Sequence, residues 1–114
     1  MPPYRPKQGD IIFANFDPRA GHEQAGRRPG VIISNWEYHR HLNGLALVCP
    51  ITNTNWHFPL HIPLDARTKT TGYIMCEQMK SFDLIARKTE FREVLPNDLL
   101  LDVLECFNQC IELD

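Results

Sequence analysis

No apolar run in this chain exceeds a few residues, against the roughly 20 that a membrane-crossing helix requires. A membrane span is therefore not expected. The segment Met1-Pro2-Pro3-Tyr4-Arg5-Pro6 has no apolar stretch behind its charges, so no secretory signal is expected either, and the expected location is cytoplasmic. An excess of positive charge is also missing. Lys and Arg number 12 against 14 Asp and Glu, a formal net charge of −2, which argues against a large duplex-binding surface. Charged residues make up 23% and hydrophobic residues 43%, values that fit neither a disordered chain nor a coiled coil. The phosphate-cradling G-x-x-x-x-G-K-[ST], the zinc-binding H-E-x-x-H and the nucleophile turn G-x-S-x-G are all absent. So is C-x-x-C: Cys49, Cys76, Cys106 and Cys110 form no such pair, and nothing ties His39 or His41 to them. Reduced, partly buried thiols are expected, with no metal and no cofactor.

What is present fits one compact domain. A chain of 114 residues has room for a single core of ordinary size, and residues 1–114 read as one unit. Its charge is uneven. Residues 1–40 carry a balance of +2 and residues 41–94 of +1, whereas residues 95–114 hold five acids and no Lys or Arg. Short β-branched, apolar segments alternate with turn-rich pieces, the pattern of an antiparallel β-domain. Strands are expected at Asp10–Phe16, Arg27–Ser34, Leu45–Ile51, Phe58–Leu64, Tyr73–Met79 and Arg87–Val94, with a helical turn at Asn35–His41. Leu45–Ile51 is apolar without alternation, so both of its faces should be covered. The helix is expected at about 96–112. Pro96 suits a first helical position, Asp98 and Asp102 suit the positive end of the dipole, and Leu100, Val103, Leu104, Phe107 and Ile111 recur at helical spacing. Glu112 and Asp114 sit at the unfavourable end, where the last turn should fray.

Three polar clusters interrupt this pattern. The first, Gly21-His22-Glu23-Gln24-Ala25-Gly26-Arg27-Arg28-Pro29, joins an imidazole, a carboxylate, an amide and two guanidiniums in a loop feeding a strand. Neighbouring strand residues face opposite ways, so Arg27 and Arg28 cannot share one groove. Arg28 precedes a proline, which holds it extended. It suits a phosphate clamp, or a surface partner for Glu23 across a turn. The second, Thr52-Asn53-Thr54-Asn55-Trp56, can bind phosphate and stack a base, or is ordinary turn chemistry with Trp56 covering the core edge. The third, Glu77-Gln78-Met79-Lys80-Ser81-Phe82-Asp83, is a strand turning polar at its end. Glu77 and Gln78 can read a base together only if the chain bends there.

Together these clusters resemble the MazF/PemK family of bacterial toxin endoribonucleases. The resemblance runs from Gly9-Asp10-Ile11-Ile12 to the terminal helix, in four pieces: Gly9-Asp10 with Asp17-Pro18, then G-x-E-Q-x-G-x-R-P at residues 21–29, then Pro50-Ile51-Thr52, then Glu77-Gln78-Met79-Lys80-Ser81. Each is weak alone, and four in order are specific. The resemblance implies a mainly β fold, a small SH3-like antiparallel barrel over about 9–94 with a carboxy-terminal helix, paired as a homodimer. It implies metal-independent, sequence-specific cleavage of single-stranded RNA, the substrate's own 2′-hydroxyl attacking phosphorus to leave a 2′,3′-cyclic phosphate and a 5′-hydroxyl. The family's catalytic arginine falls on Arg28 and its threonine on Thr52. Glu23, Gln24, His22, Asn53, Glu77 and Gln78 become substrate contacts, with His22 placed where many relatives carry a small polar residue and able to shuttle a proton. A MazE-like antitoxin that lays an acidic, disordered carboxy-terminal segment over the groove is the implied partner.

Two other functions fit the same barrel. One is a gyrase-poisoning toxin like the CcdB family, which leans on a tryptophan near its carboxy terminus where this chain has Cys110-Ile111-Glu112-Leu113-Asp114. The other is a non-catalytic SH3-like module that binds RNA or a partner, against which the presence of both Arg28 and Thr52 counts.

Overall fold

A computed structural model describes residues 4–17 and 26–114. Seven strands form one antiparallel sheet: β1 (Asp10–Asn15), β2 (Arg27–Ile32), β3 (Leu45–Thr52), β4 (His61–Pro63), β5 (Tyr73–Met75), β6 (Lys80–Asp83) and β7 (Glu90–Val94). Helix α1 (Trp36–His41) joins β2 to β3, and α2 (Asn97–Cys110) follows β7. The strand order is β4-β5-β3-β2-β1-β7, with β6 also paired to β3. The expected class, mainly antiparallel β with a terminal helix, is the one found. In the ladder of described residues β4 and β7 remain at opposite ends, so the barrel is not closed.

The apolar run in β3 is covered on both sides, as its lack of alternation requires. Cys49 and Ile51 face one core, with Ile11, Val31, Ile33, Ile74 and the α2 residues Leu99, Leu100 and Val103. Ala46 and Val48 face a second, with Ile12, Ala14, Phe16, Ile32, Phe82 and Leu84. The α2 stripe is narrower than its spacing suggested. Leu104 and Phe107 are only half-buried, and Ile111 lies past the end of the helix and is exposed. Leu99 takes their place, because α2 ends at Cys110 and rests on the sheet through its first half. Pro96 is the residue before the helix rather than its first. Asn35 caps α1, its Oδ1 accepting the Tyr38 N–H at 3.1 Å, a bond worth about 1 kcal/mol.

Two register features shape the surface. β3 pairs β6 through Val48 with Lys80, then β5 through Ile51 with Ile74. Between those partners three extra residues, Cys76–Gln78, form a 3₁₀ turn. The expected long strand Tyr73–Met79 is thus one short strand, Tyr73–Met75, followed by that turn, and Lys80–Asp83, expected only as a polar strand end, is a strand of its own. The expected Phe58–Leu64 contracts to His61–Pro63. The second feature is the pairing of Gly30 with Pro50. A Cβ on Gly30 would lie 2.9 Å from Val48 and 3.0 Å from Phe16, so only glycine lets β2 lie this close over the second core.

Candidate active site

Alternation along β2 separates the two arginines as expected. Arg27 turns to the face of Phe13, with its guanidinium 5.0 Å from the ring centre. Arg28 belongs to the other face, that of Gly30, Ile32 and the Phe16–Phe82 pair. Carrying the Gly30–Pro50 register two residues further sets Arg28 opposite Thr52. Both sit at the ends of adjacent antiparallel strands and on one face of the sheet.

Their surroundings differ. Partial burial pulls the Arg28 guanidinium below its ordinary value, and the nearby Asp17 carboxylate offsets part of that; the group stays charged at neutral pH. Thr52 is buried, and its Oγ1 accepts the Thr54 N–H at 3.2 Å. That bond fixes the rotamer and leaves the hydroxyl hydrogen to be donated. Gly72, at φ +121°, presses on the Thr52 backbone from the far side, where a Cβ would come within 2.3 Å of the Thr52 carbonyl oxygen.

Aromatic rings and further cations belong to the same face. Phe16 and Phe82 meet edge to face at 4.5 Å. The Lys80 ammonium lies 5.7 Å and the Arg87 guanidinium 4.9 Å from the Phe82 ring centre. Arg87 also donates to the Asp17 and Asn15 carbonyls. Asp17 Oδ1 in turn accepts the Gly26 N–H at 2.9 Å, and the Phe16 N–H donates to the Gly26 carbonyl at 2.9 Å. These bonds close the neck of the polar loop between Asp17 and Gly26. His22, Glu23 and Gln24 lie on that loop, outside the described residues, as does the suggested Arg28–Glu23 pair. On this face the positive charge gathers at Arg28, Lys80 and Arg87.

The bend that Glu77 and Gln78 needed is the 3₁₀ turn, which lies opposite Cys49 and Pro50. Glu77 Oε2 is 2.9 Å from His61 Nε2. The His61 side chain is 4% exposed, and its buried Nδ1 has no hydrogen-bond partner among the described residues. Its ring lies 5.1 Å from that of Phe58. Trp56, Phe58, Pro59, His61, Glu77 and Gln78 line a groove of about 470 Å³. Trp56 is 61% exposed at its rim, so it does not cover the core edge. Asn53 is turned toward the loop before β5, its Oδ1 accepting the Thr71 hydroxyl at 2.8 Å.

Sequence spacing missed His61, Lys80 and Arg87 as site residues. Lys80 stood inside a polar cluster and was open to being read as a site cation; His61 and Arg87 reach the site only through strand pairing. The four cysteines are free thiols. Cys49 and Cys76 are buried, Cys106 is half-buried and Cys110 exposed, so the expected partial burial fails at Cys110. Burial pushes the Cys49 thiol up to about 12, which makes it a poor nucleophile at neutral pH. No three His, Cys, Asp or Glu side chains among the described residues are grouped to hold a metal ion, and no described helix is long and apolar enough to cross a membrane.

Comparison with known proteins adds to this geometry. Residues 7–111 match the family described as PemK-like, MazF-like toxin of type II toxin–antitoxin system. The endoribonuclease toxin MazF of Escherichia coli strain K12 is 35% identical over 99 residues, 86% of this chain and 87% of that protein. The crystal structure of MazF (Form-I) from Deinococcus radiodurans superposes with a TM-score of 0.89 at 31% identity, covering 96% of this chain and 98% of the other. A MazE–MazF structure (Form-III) from the same organism gives 0.83 at 28% identity, with 97% and 100% covered.

Proposed function

This chain belongs to the PemK-like, MazF-like toxin family, and we propose that it is an endoribonuclease toxin that cuts single-stranded RNA with Arg28 and Thr52. The observation that carries this reading is their shared position: the ends of adjacent strands, one face, over an aromatic floor ringed by Lys80 and Arg87. A positively charged floor beside a groove with exposed aromatics suits a flexible single strand better than a duplex.

In the proposed reaction the 2′-oxygen at the cut bonds to phosphorus, its proton leaves to a base, and the bond from phosphorus to the 5′-oxygen breaks. That oxygen takes up a proton, leaving a 2′,3′-cyclic phosphate and a 5′-hydroxyl. Negative charge builds on the non-bridging oxygens in the transition state. A guanidinium, with a hydroxyl fixed beforehand, stabilises it there more than in the ground state. Arginine is a poor proton acceptor, so Arg28 acts as stabiliser and as proton donor to the departing oxygen, its partial burial moving it in the direction a donor needs. Glu23 and His22 are the groups on the loop able to take the 2′-proton. Glu77, Gln78, Gln24 and Asn53 contact the bases, and Trp56 stacks one. The chemistry calls for no metal.

The chain acts as one domain over residues 1–114, in the cytoplasm and as a homodimer. Its proposed antitoxin is MazE-like, covering the same face with an acidic segment that takes the place of RNA on the cations. The deciding test is incubation of the purified protein with a sequence-diverse single-stranded RNA in excess EDTA, with the ends mapped. Discrete cuts ending in cyclic phosphate, lost in Arg28→Ala and absent on matching DNA, are expected. A folded Arg28→Ala protein that still cuts at full rate would falsify the assignment.

A further inference from the structure

On the face of the sheet opposite Arg28, Phe13 carries two guanidiniums: Arg27 at 5.0 Å and Arg92 at 4.5 Å from its ring centre. Arg92 is placed there by a break in the ladder. β1 pairs Ile11 with Glu93 but Ile12 with Phe91, so Arg92 is an extra residue in β7. Bulges of this kind re-aim a side chain at the cost of a pairing. Beside the ring runs a groove of about 420 Å³ lined by Phe13, Pro29, Lys69, Thr70, Arg92 and Glu93.

The loop that carries Lys69 is held in position. Glu93 accepts the Lys69 N–H at 3.1 Å, the Thr70 N–H at 2.8 Å and the Thr70 hydroxyl at 2.7 Å. Arg67 ties the same loop to Asp65 and to Asp98 at the start of α2. The Glu93 carboxylate is thus occupied with the backbone that presents Lys69. The one carboxylate paired with both guanidiniums is Glu90, at 3.5 Å from Arg27 and 3.6 Å from Arg92. Both distances are long and all three side chains are well exposed, so these pairs hold weakly, and a phosphate can take the carboxylate's place between two planar forks.

We propose that this groove is a second anchor for the phosphate backbone of single-stranded RNA, holding nucleotides that flank the cut. The proposal rests on the reading that the chain cleaves such RNA. Its link to the cutting face is covalent: Arg27 and Arg28 are neighbours whose side chains leave β2 on opposite sides, so a strand passing round the end of β2 meets one and then the other. The result is a length preference. Long substrates engage both faces, whereas short ones engage Arg28 alone.

The test compares a labelled unstructured RNA of about 24 nucleotides, centred on a mapped cut, with its central 8 nucleotides, each with one 2′-deoxy sugar at the cut to block the reaction. Binding is read by anisotropy across a salt series, and cleavage on the all-ribose versions. Arg92→Gln and Lys69→Gln should each weaken the long RNA about 3- to 10-fold, leave the short one within about 2-fold, and reduce the slope of log K against log salt by about 0.7. Glu90→Gln should tighten the long RNA, a gain that damage to the fold does not produce. Equal effects on both lengths, or none on either, would overturn the proposal. So would variants that keep RNA binding but lose a synthetic Glu-rich peptide, since the groove would then serve an acidic protein segment. If the RNA binds as expected and nothing is cut, the cleavage reading fails and the anchor stands; in that case a poly(U) pair of the same lengths replaces the mapped one. Cutting without length dependence does the opposite: the cleavage reading stands and the anchor fails.

Discussion

Replacing Gly72 with alanine tests the support behind Thr52, and the added Cβ would stand 3.1 Å from Asn53 Oδ1. At φ +121° an L-residue is strained by about 1–3 kcal/mol. The added Cβ would also stand 2.3 Å from the Thr52 carbonyl oxygen and 2.9 Å from the Thr52 carbonyl carbon. Backbone lies on both sides of this contact, so relief requires the two segments to separate by about 0.7–1 Å, to an ordinary contact near 3.2 Å. Strain and lost packing together should lower stability by about 2–4 kcal/mol, roughly 8–15 °C in Tm for a domain of this size. The displaced residue is the proposed catalytic threonine, and an error of about 1 Å in a reacting group can cost about 10²-fold. Thermal unfolding followed by circular dichroism, with single-turnover RNA cleavage well below the new Tm, reads both effects. Gly72→Ala with wild-type Tm and rate would refute the claim that this contact positions Thr52. Lower Tm with an unchanged rate would separate support of the fold from support of the site.

Four further outcomes follow from the same geometry. Arg28→Ala should reduce cleavage by about 10²-fold or more with the unfolding midpoint little changed, measured by single-turnover kinetics and denaturant titration. Leu100→Ala, which empties part of the core beneath α2, should cost about 2–5 kcal/mol in urea unfolding. Trp56→Ala should change stability by less than about 0.5 kcal/mol, because the indole is exposed, yet raise KM for RNA more than it lowers kcat. His39 sits in the fold with its Nε2 2.6 Å from Ser34 Oγ, and burial holds it below its ordinary 6.5. The unfolded chain therefore takes up the proton first as pH falls. The stability contributed by neutral His39 is complete above 6.5 and lost below it, so urea midpoints should fall less between pH 7.5 and 5.5 in His39→Gln than in the wild type.

The parts of the fold legible in the residues are those where periodicity and turn chemistry agree. β3 declared itself by an apolar run with no polar face, and two cores do flank it. The helical turn expected at Asn35–His41 is α1, with Asn35 as its cap. Failures cluster where pairing, not propensity, decides. Lys80-Ser81-Phe82-Asp83 has one apolar residue facing in, too few for a period to register, yet β3 supplies the ladder that makes it a strand. Leu104 and Ile111 keep helical spacing beyond the point where the sheet beneath α2 ends. At the site, Arg28, Thr52 and Gln78 stood in the chain as separate clusters. The pairing of Arg28 with Thr52 depends on a register between β2 and β3, and the place of Gln78 on a three-residue jog between β5 and β6; neither is written in any local stretch.

That jog has a consequence for how such a protein can change. Pro50, which has no N–H to give, sits opposite it, where β3 has left one partner strand and not yet met the next. Residues 76–78 therefore hold no rung of either ladder. Gln78 can change with every strand pairing in place, whereas Glu77 also serves as partner to the buried His61 of β4; the pairings on both sides keep the turn at a constant height above Pro50. The surface proposed to contact a base thus lies outside the ladders that carry Arg28 and Thr52. A library confined to Gln78 and the groove wall at Trp56 and Phe58, with Glu77 held to residues that still pair with His61, would sample new recognition sequences from a folded parent.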